Sequence, residues 1–279
     1  MGEKSYRDRV AIVTGASSGI GWETARAFAR RGAIVVGVAR REERLVRLGE
    51  ELRRHSPASS HLCGDLGSQA FAERVVRETV AHYGRLDVLV NNAGMPKHKH
   101  VFHLSGAEAE QVTRVNFLSA VWTTLAAIPP MLAQGGGSIV NVSSFAAVVT
   151  PPREAIYAGT KAAMNAFTEG LWSDLRGTGI HTAIVNPGPI DTEIWQKQEE
   201  PTAYHGPLYP PGIVVDAVFE AIEKRRFEIT VPRRSAPLVA ARVLRLLAPG
   251  LLRFGMHRMD PVPKTLIDTA QARARGDGS

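Results

Sequence analysis

Arg9-Val10-Ala11-Ile12-Val13-Thr14 runs without a break into Gly15-Ala16-Ser17-Ser18-Gly19-Ile20-Gly21, and a helical stretch from Trp22 to Arg31 follows. The apolar, β-branched run reads as a buried parallel strand. A glycine turn between strand and helix lets a phosphate approach the backbone. The helix start adds free N–H groups and the positive end of the helix dipole. The stretch therefore reads as a dinucleotide-binding turn, with an ordinary strand-to-helix turn as the competing reading.

Further strands are expected at Ala33–Ala39, Ser59–Cys63, Leu86–Val90, Ile139–Ser144, Ile180–Val185 and Phe227–Val231. Helices are expected near 69–83, 107–132 and 214–224, and Pro129 and Pro130 should kink or end the second of these near its last turn. The expected fold is α/β: a Rossmann-type doubly wound parallel sheet of about seven strands flanked by helices. Neither an internal repeat nor a long linker interrupts it. Residues 1–231 are expected to form a single domain, with a C-terminal basic apolar helical extension over 232–279.

The strand ending at Ser144 brings a hydroxyl to the end of the sheet where ligands bind. Tyr157 and Lys161 follow, one helical turn apart, so both project from one face. A free phenol titrates near pH ~10 and is a poor acid or base at neutral pH. A neighbouring ammonium is expected to lower the Tyr157 pKa and make it a usable proton donor or acceptor. Ser144 would hydrogen-bond a substrate oxygen meanwhile.

After the second strand come Arg40 and Arg41. An acidic residue here would bind both ribose hydroxyls of NAD, whereas an arginine accommodates the 2′-phosphate of NADP. Arg40 therefore points to NADP(H), unless both arginines merely open a solvated helix.

Thr14-Gly15-x-x-x-Gly19-x-Gly21, Asn91-Asn92-Ala93-Gly94 and the serine followed by Tyr157-x-x-x-Lys161 resemble the short-chain dehydrogenase/reductase family over roughly residues 8–231. Thr160 stands where the family more often has serine. The resemblance implies an NAD(P)-dependent alcohol/carbonyl oxidoreductase with Asn116, Ser144, Tyr157 and Lys161 as its catalytic residues. It implies cofactor contacts from Gly15, Ser17, Ser18, Gly19, Ile20, Gly21, Arg40, Asp65, Leu66, Asn92, Ala93, Gly94, Tyr157, Lys161, Pro187, Gly188, Ile190 and Thr192. Asp65 would lie at the adenine ring, though it or Ser68 also suits a helix cap. The Ile190 backbone would reach the nicotinamide carboxamide, with Thr192 at the carboxamide or phosphate. Asn116 would hold a water linking Lys161 to solvent. The family is mostly dimeric or tetrameric through the helices bearing Asn116 and Tyr157.

Composition narrows the rest. With 44% hydrophobic and 22% charged residues, the chain has the make-up of a globular protein. One cysteine, Cys63, cannot form an internal disulfide and is expected to be a buried strand thiol. The charged N-terminus lacks the apolar run of a signal peptide, so a cytoplasmic location is expected. His98, His100 and His103 share a loop, but no carboxylate or cysteine joins them at a usual ligand spacing, and no metal is expected.

From Lys224 onward 12 Lys/Arg stand against 4 Asp/Glu, while the remainder carries 22 against 23. That distribution argues against a general nucleic-acid-binding surface. The apolar, arginine-bearing segment 232–255 suits packing over the substrate pocket, an oligomer contact, or peripheral attachment to an anionic membrane. Arg242, Arg245 and Pro249 interrupt it too often for it to span one. The irregular stretch 193–211 carries Trp195, Tyr204 and Tyr209 and is expected to cover an apolar pocket with Trp195 among its walls. The expected activity is NADP(H)-dependent interconversion of an alcohol and a ketone or aldehyde, most naturally the reduction of a lipophilic carbonyl. A non-catalytic NADP-binding sensor or scaffold is the alternative.

Overall fold

Each central strand of the sheet buries both faces, because helices cover it above and below. The computed structural model describes residues 5–197, 200, 204 and 206–275. In chain order the first half comprises β1 (Val10–Thr14), α1 (Gly19–Arg30), β2 (Ile34–Ala39), α2 (Glu42–Arg53), β3 (Ser60–Cys63), α3 (Gln69–Tyr83) and β4 (Val88–Asn91). The second half comprises α4 (Gly106–Thr113), α5 (Ser119–Ala133), β5 (Gly137–Val142), α6 (Ala155–Asp174), β6 (Ile180–Pro187), α7 (Gly212–Glu223) and β7 (Glu228–Val231). All seven strands are parallel, in the order β3-β2-β1-β4-β5-β6-β7.

Side chains alternate between two apolar layers. Ala11 and Val13 of β1 face Phe28 of α1, Leu45 and Leu48 of α2, and Val218 of α7. Ile12 faces the opposite layer, with Val75 of α3, Met131 of α5 and Leu171 of α6. The chain reverses its direction of winding between β1 and β4, which opens a crevice at their carboxyl ends, Thr14 and Asn91.

Between α4 and α5 the residues Arg114–Leu118 wind as a π-helix, and the helix then continues through Pro129 and Pro130 to end at Ala133. Taken together, 106–133 is long and apolar enough to cross a membrane by composition, but here it packs against α3, α6 and the sheet. Buried Asn91 and Asn141 bond to one another at 2.9 Å and to Thr124 and Thr168, so these amides inside the apolar layers are satisfied.

Cys63 is exposed, not buried as expected, because β3 is an edge strand of the sheet; its Sγ lies 3.5 Å from the Arg40 carbonyl. Beyond β7 the chain forms α8 (Ala236–Leu247), α9 (Pro249–Met259) and α10 (Lys264–Arg275). Leu252 of α9 is buried against Phe145 and Val149, and Leu238, Ala241, Leu244 and Met256 pack around them.

Candidate active site

The glycine turn fits tightly where β1 ends. Gly15 and Gly19 have φ of +68° and +54°, in the left-handed region. A Cβ on Gly21 would lie 2.4 Å from the Gly15 carbonyl oxygen, and one on Gly15 would lie 2.9 Å from the Ala93 Cα. Thr14 knots this turn to the end of β4: its Oγ1 accepts from the amides of Asn92 and Ala93 at 2.9 and 3.0 Å, and Asn92 Nδ2 donates to the Thr14 carbonyl at 3.0 Å. Ser18 holds the N-cap position of α1 without a side-chain cap bond. Thr192, after β6, leans over Gly19, with its Cγ2 3.0 Å from where a Cβ would be. A bare backbone at a helix start, set in the sheet's crevice, fits a dinucleotide's pyrophosphate.

Ser144, Tyr157 and Lys161 converge beside this crevice. Ser144 follows β5; its hydroxyl accepts from the Ala146 amide at 3.1 Å and stands close enough to the Tyr157 phenol to lower its pKa. Tyr157 and Lys161 lie on one face of α6, and Lys161 is buried. Burial is the largest influence on Tyr157 and, with the nearby Glu154 carboxylate, pushes the phenol up to about 12 against the lowering effect of Ser144. The expected lowering is therefore corrected: the phenol lies above its ordinary value, not below it. Lys161 Nζ donates to the Val142 carbonyl at 3.0 Å, and burial brings its own pKa down to about 8.

Asn116 sits in the π-helical turn, fully buried. Its amide clamps the Met95 main chain at both ends, accepting from the amide at 2.8 Å and donating to the carbonyl at 3.0 Å. A Cβ on Gly94 would lie 3.6 Å from Asn116 Oδ1 and 3.7 Å from Lys161 Nζ, so both groups face this glycine. Thr160, which replaces the more usual serine, donates to the Tyr157 carbonyl at 2.7 Å.

At the far end of the crevice Arg40 is exposed. Its neighbour reaches the turn: Arg41 Nε and Nη2 lie 3.1 and 3.0 Å from Ser17 Oγ, and Nη2 lies 2.6 Å from Ser18 Oγ. Glu193, from the loop after β6, pairs with both Arg41 and Arg44. The arginine pair was visible in the sequence, but which of the two turns toward the serines was not, and Glu193 gave no signal of its own. Leu66 is buried, whereas Asp65 is exposed and accepts from the Gly67 amide at 3.0 Å, a local turn. Ser68 occupies the N-cap of α3 with no side-chain cap bond.

Tyr157 and Ser144 open onto a cavity of about 470 Å³. Its walls include Ile20, Pro187, Gly188 and Ile190 on the cofactor side, Phe145, Val149 and Trp195 in the middle, and Leu238, Ala241 and Met256 of α8 and α9 beyond. Trp195 stands among the walls, its indole N–H donating to the Ile190 carbonyl at 2.7 Å and its ring stacked on Tyr204. Of the stretch expected to cover the pocket, positions 198, 199, 201–203 and 205 lie outside the described residues. Glu200 accepts from the His100 amide at 3.1 Å and lies 2.8 Å from His103 Nδ1, which ties the histidine-bearing loop to this cover.

Residues 9–203 of the chain match the short chain dehydrogenase family. An 11-beta-hydroxysteroid dehydrogenase 1A of Arabidopsis thaliana is 40% identical over 190 residues, which are 67% of this chain and 54% of the relative. This chain thus spans about half the length of that protein. Among solved structures, a short chain dehydrogenase/reductase of Burkholderia phymatum in complex with NAD superposes with a TM-score of 0.80 at 25% identity, covering 89% of this chain and 96% of that one. A short-chain dehydrogenase of Sphingobium yanoikuyae in complex with NADPH superposes with a TM-score of 0.75 at 28% identity, covering 91% and 96%.

Proposed function

Because the chain belongs to the short-chain dehydrogenase family, we propose that it is an NADP(H)-dependent oxidoreductase that interconverts an alcohol and a ketone or aldehyde. The observation that carries the reading is the hydroxyl pair of Ser144 and Tyr157 at the head of a largely apolar cavity, beside a dinucleotide crevice. The reaction runs chiefly toward reduction of a lipophilic carbonyl compound. A phenol held at about 12 is fully protonated at neutral pH, which suits a proton donor.

Gly15, Ser17, Ser18, Gly19, Ile20, Gly21 and Thr192 would hold the pyrophosphate side of the cofactor, with Asn92, Ala93 and Gly94 beneath it. Leu66 and Asp65 would flank the adenine, and Pro187, Gly188 and Ile190 the nicotinamide. Arg40 reads the 2′-phosphate together with Arg41, whose guanidinium already lies against Ser17 and Ser18. When bound, the reduced nicotinamide supplies hydride to the carbonyl carbon.

Ser144 donates a hydrogen bond to the carbonyl oxygen and orients it. Tyr157 gives that oxygen its phenolic proton. Lys161 binds the nicotinamide ribose, and Asn116 with a water completes the path that returns a proton from solvent. Apolar walls exclude bulk water and favour a steroid-like, retinoid-like or fatty-acyl ketone; the name of the Arabidopsis relative points the same way. The enzyme works in the cytoplasm as a homodimer or homotetramer joined through α5 and α6, whose Leu125, Leu132 and Trp172 are exposed. Fluorescence titration with NADPH and NADH, followed by turnover on carbonyls from small polar to large apolar, tests this reading. Tighter NADPH binding and preference for large apolar ketones are expected. Tighter NADH binding would overturn the cofactor assignment.

A further inference from the structure

The C-terminal helices bury one apolar face and leave a second in solvent. On α8, Leu238, Ala241 and Leu244 pack inward, whereas Val239, Val243, Leu246 and Leu247 form a stripe at helical spacing on the other side. Leu246 and Leu247 are 75% and 81% exposed. On α9 Leu252 is buried, while Leu251 and Phe254 are exposed. Exposed apolar residues clustered on neighbouring helices in this way are costly in water and mark a surface that is covered in use.

The charges around the patch identify the cover. Between Pro232 and Met259 stand Arg233, Arg234, Arg242, Arg245, Arg253 and Arg258, and no aspartate or glutamate; of these, Arg233 and Arg242 pair with Glu220 and Glu228 from outside the segment. Arg258 lies over the Phe254 ring at 5.7 Å, so a cation and an apolar anchor share one spot. A second copy of the same face, brought up by a two-fold axis, would set arginine against arginine. An anionic bilayer answers both features, with acyl chains for the stripe and headgroups for the guanidiniums.

We propose that α8 and α9 dock the protein onto an anionic lipid surface through the Val239, Val243, Leu246, Leu247, Leu251 and Phe254 face. Met259 connects this face with the cavity: it is among the cavity's lining residues and is itself 61% exposed. Docking therefore brings the rim of the cavity to the lipid, where a membrane-dissolved carbonyl compound can enter without crossing water. That entry route rests on the reductase reading; the docking does not.

The test is flotation of the full chain with vesicles of phosphatidylcholine alone and of phosphatidylcholine with phosphatidylglycerol, at low and high salt. The wild type should float with the anionic vesicles only, and high salt should release it. Leu246→Glu/Leu247→Glu should lower the bound fraction at least ~tenfold, and Arg245→Gln/Arg253→Gln should remove the preference for anionic lipid. NADPH titration, unchanged in both variants, reports that each is folded. Wild type that stays unbound with anionic vesicles, or floats equally with neutral ones, overturns the proposal. So does a leucine variant that floats as well as wild type, or one that merely changes from oligomer to monomer in sedimentation, which would make the face a contact between copies.

Discussion

Arg41 Nη1 lies 2.8 Å from Glu193 Oε2, an ion pair that joins the residue after β2 to the loop that follows β6. Glu193 also pairs with Arg44, so one carboxylate holds two guanidiniums at the edge of the glycine turn. A 2′-phosphate arriving there competes with Glu193 for the same donors. Partly exposed pairs of this kind are worth ~1 kcal/mol. Glu193→Gln is accordingly expected to tighten NADPH about fivefold and leave NADH unchanged in fluorescence titration. Arg41→Ala should weaken NADPH at least ~tenfold and likewise spare NADH.

Gly21→Ala is expected to damage both the fold and cofactor binding, because the new Cβ would meet a backbone oxygen at 2.4 Å and the Asn92 amide at 2.5 Å. Neither group can move without opening the turn. A loss of ~1–3 kcal/mol in urea unfolding and at least tenfold weaker cofactor binding should follow. Gly170→Ala is the control: nothing lies within 4 Å of its Cβ position on α6, and it should gain ~0.5–1 kcal/mol.

Lys161 gives a pH signature. Its folded pKa of about 8 lies below the 10.5 of an unfolded lysine, so burial of the ammonium costs stability below about pH 8, and the cost disappears as pH rises from there toward 10.5. Lys161→Met removes the titration. The stability difference, variant minus wild type, should shrink by about 3 kcal/mol between pH 7 and the upper end of that window, measured by urea midpoints. A difference independent of pH would contradict the burial-driven shift.

What the sequence makes legible is what local spacing controls. Gly15, Gly19 and Gly21 can serve only a tight turn of one kind, and a tyrosine and a lysine four apart must share a helix face, so the turn and the Tyr157–Lys161 pairing are readable at once. Contacts between distant segments are not. That Arg41 rather than Arg40 turns toward Ser17 depends on how the chain leaves β2, and its partner Glu193 arrives from the far side of the sheet. Cys63 looks buried because it sits in a strand, but the strand order leaves β3 at an edge. The rise in the Tyr157 pKa comes from burial, which a helix-face argument does not contain.

Asp260 ties the C-terminal helices to the site: its carboxylate lies 2.5 Å from Arg153 Nη2, both side chains are largely buried, and Arg153 stands four residues before Tyr157. Removing the carboxylate leaves Arg153 the longer pair with Glu200 at 3.8 Å and should cost up to ~3 kcal/mol. Asp260→Asn should speed proteolytic cleavage within 232–275 and raise KM for bulky carbonyls, while the NADPH dissociation constant stays unchanged.

Turnover of wild type and Tyr157→Phe on a lipophilic ketone, measured together with NADPH titration of both, tests the assignment of Tyr157 as proton donor most directly. Loss of the phenolic proton should lower kcat by ~10²–10⁴-fold while NADPH binds the two proteins equally. Equal turnover by the phenylalanine variant, or NADPH binding by wild type without turnover on any carbonyl, would contradict the account.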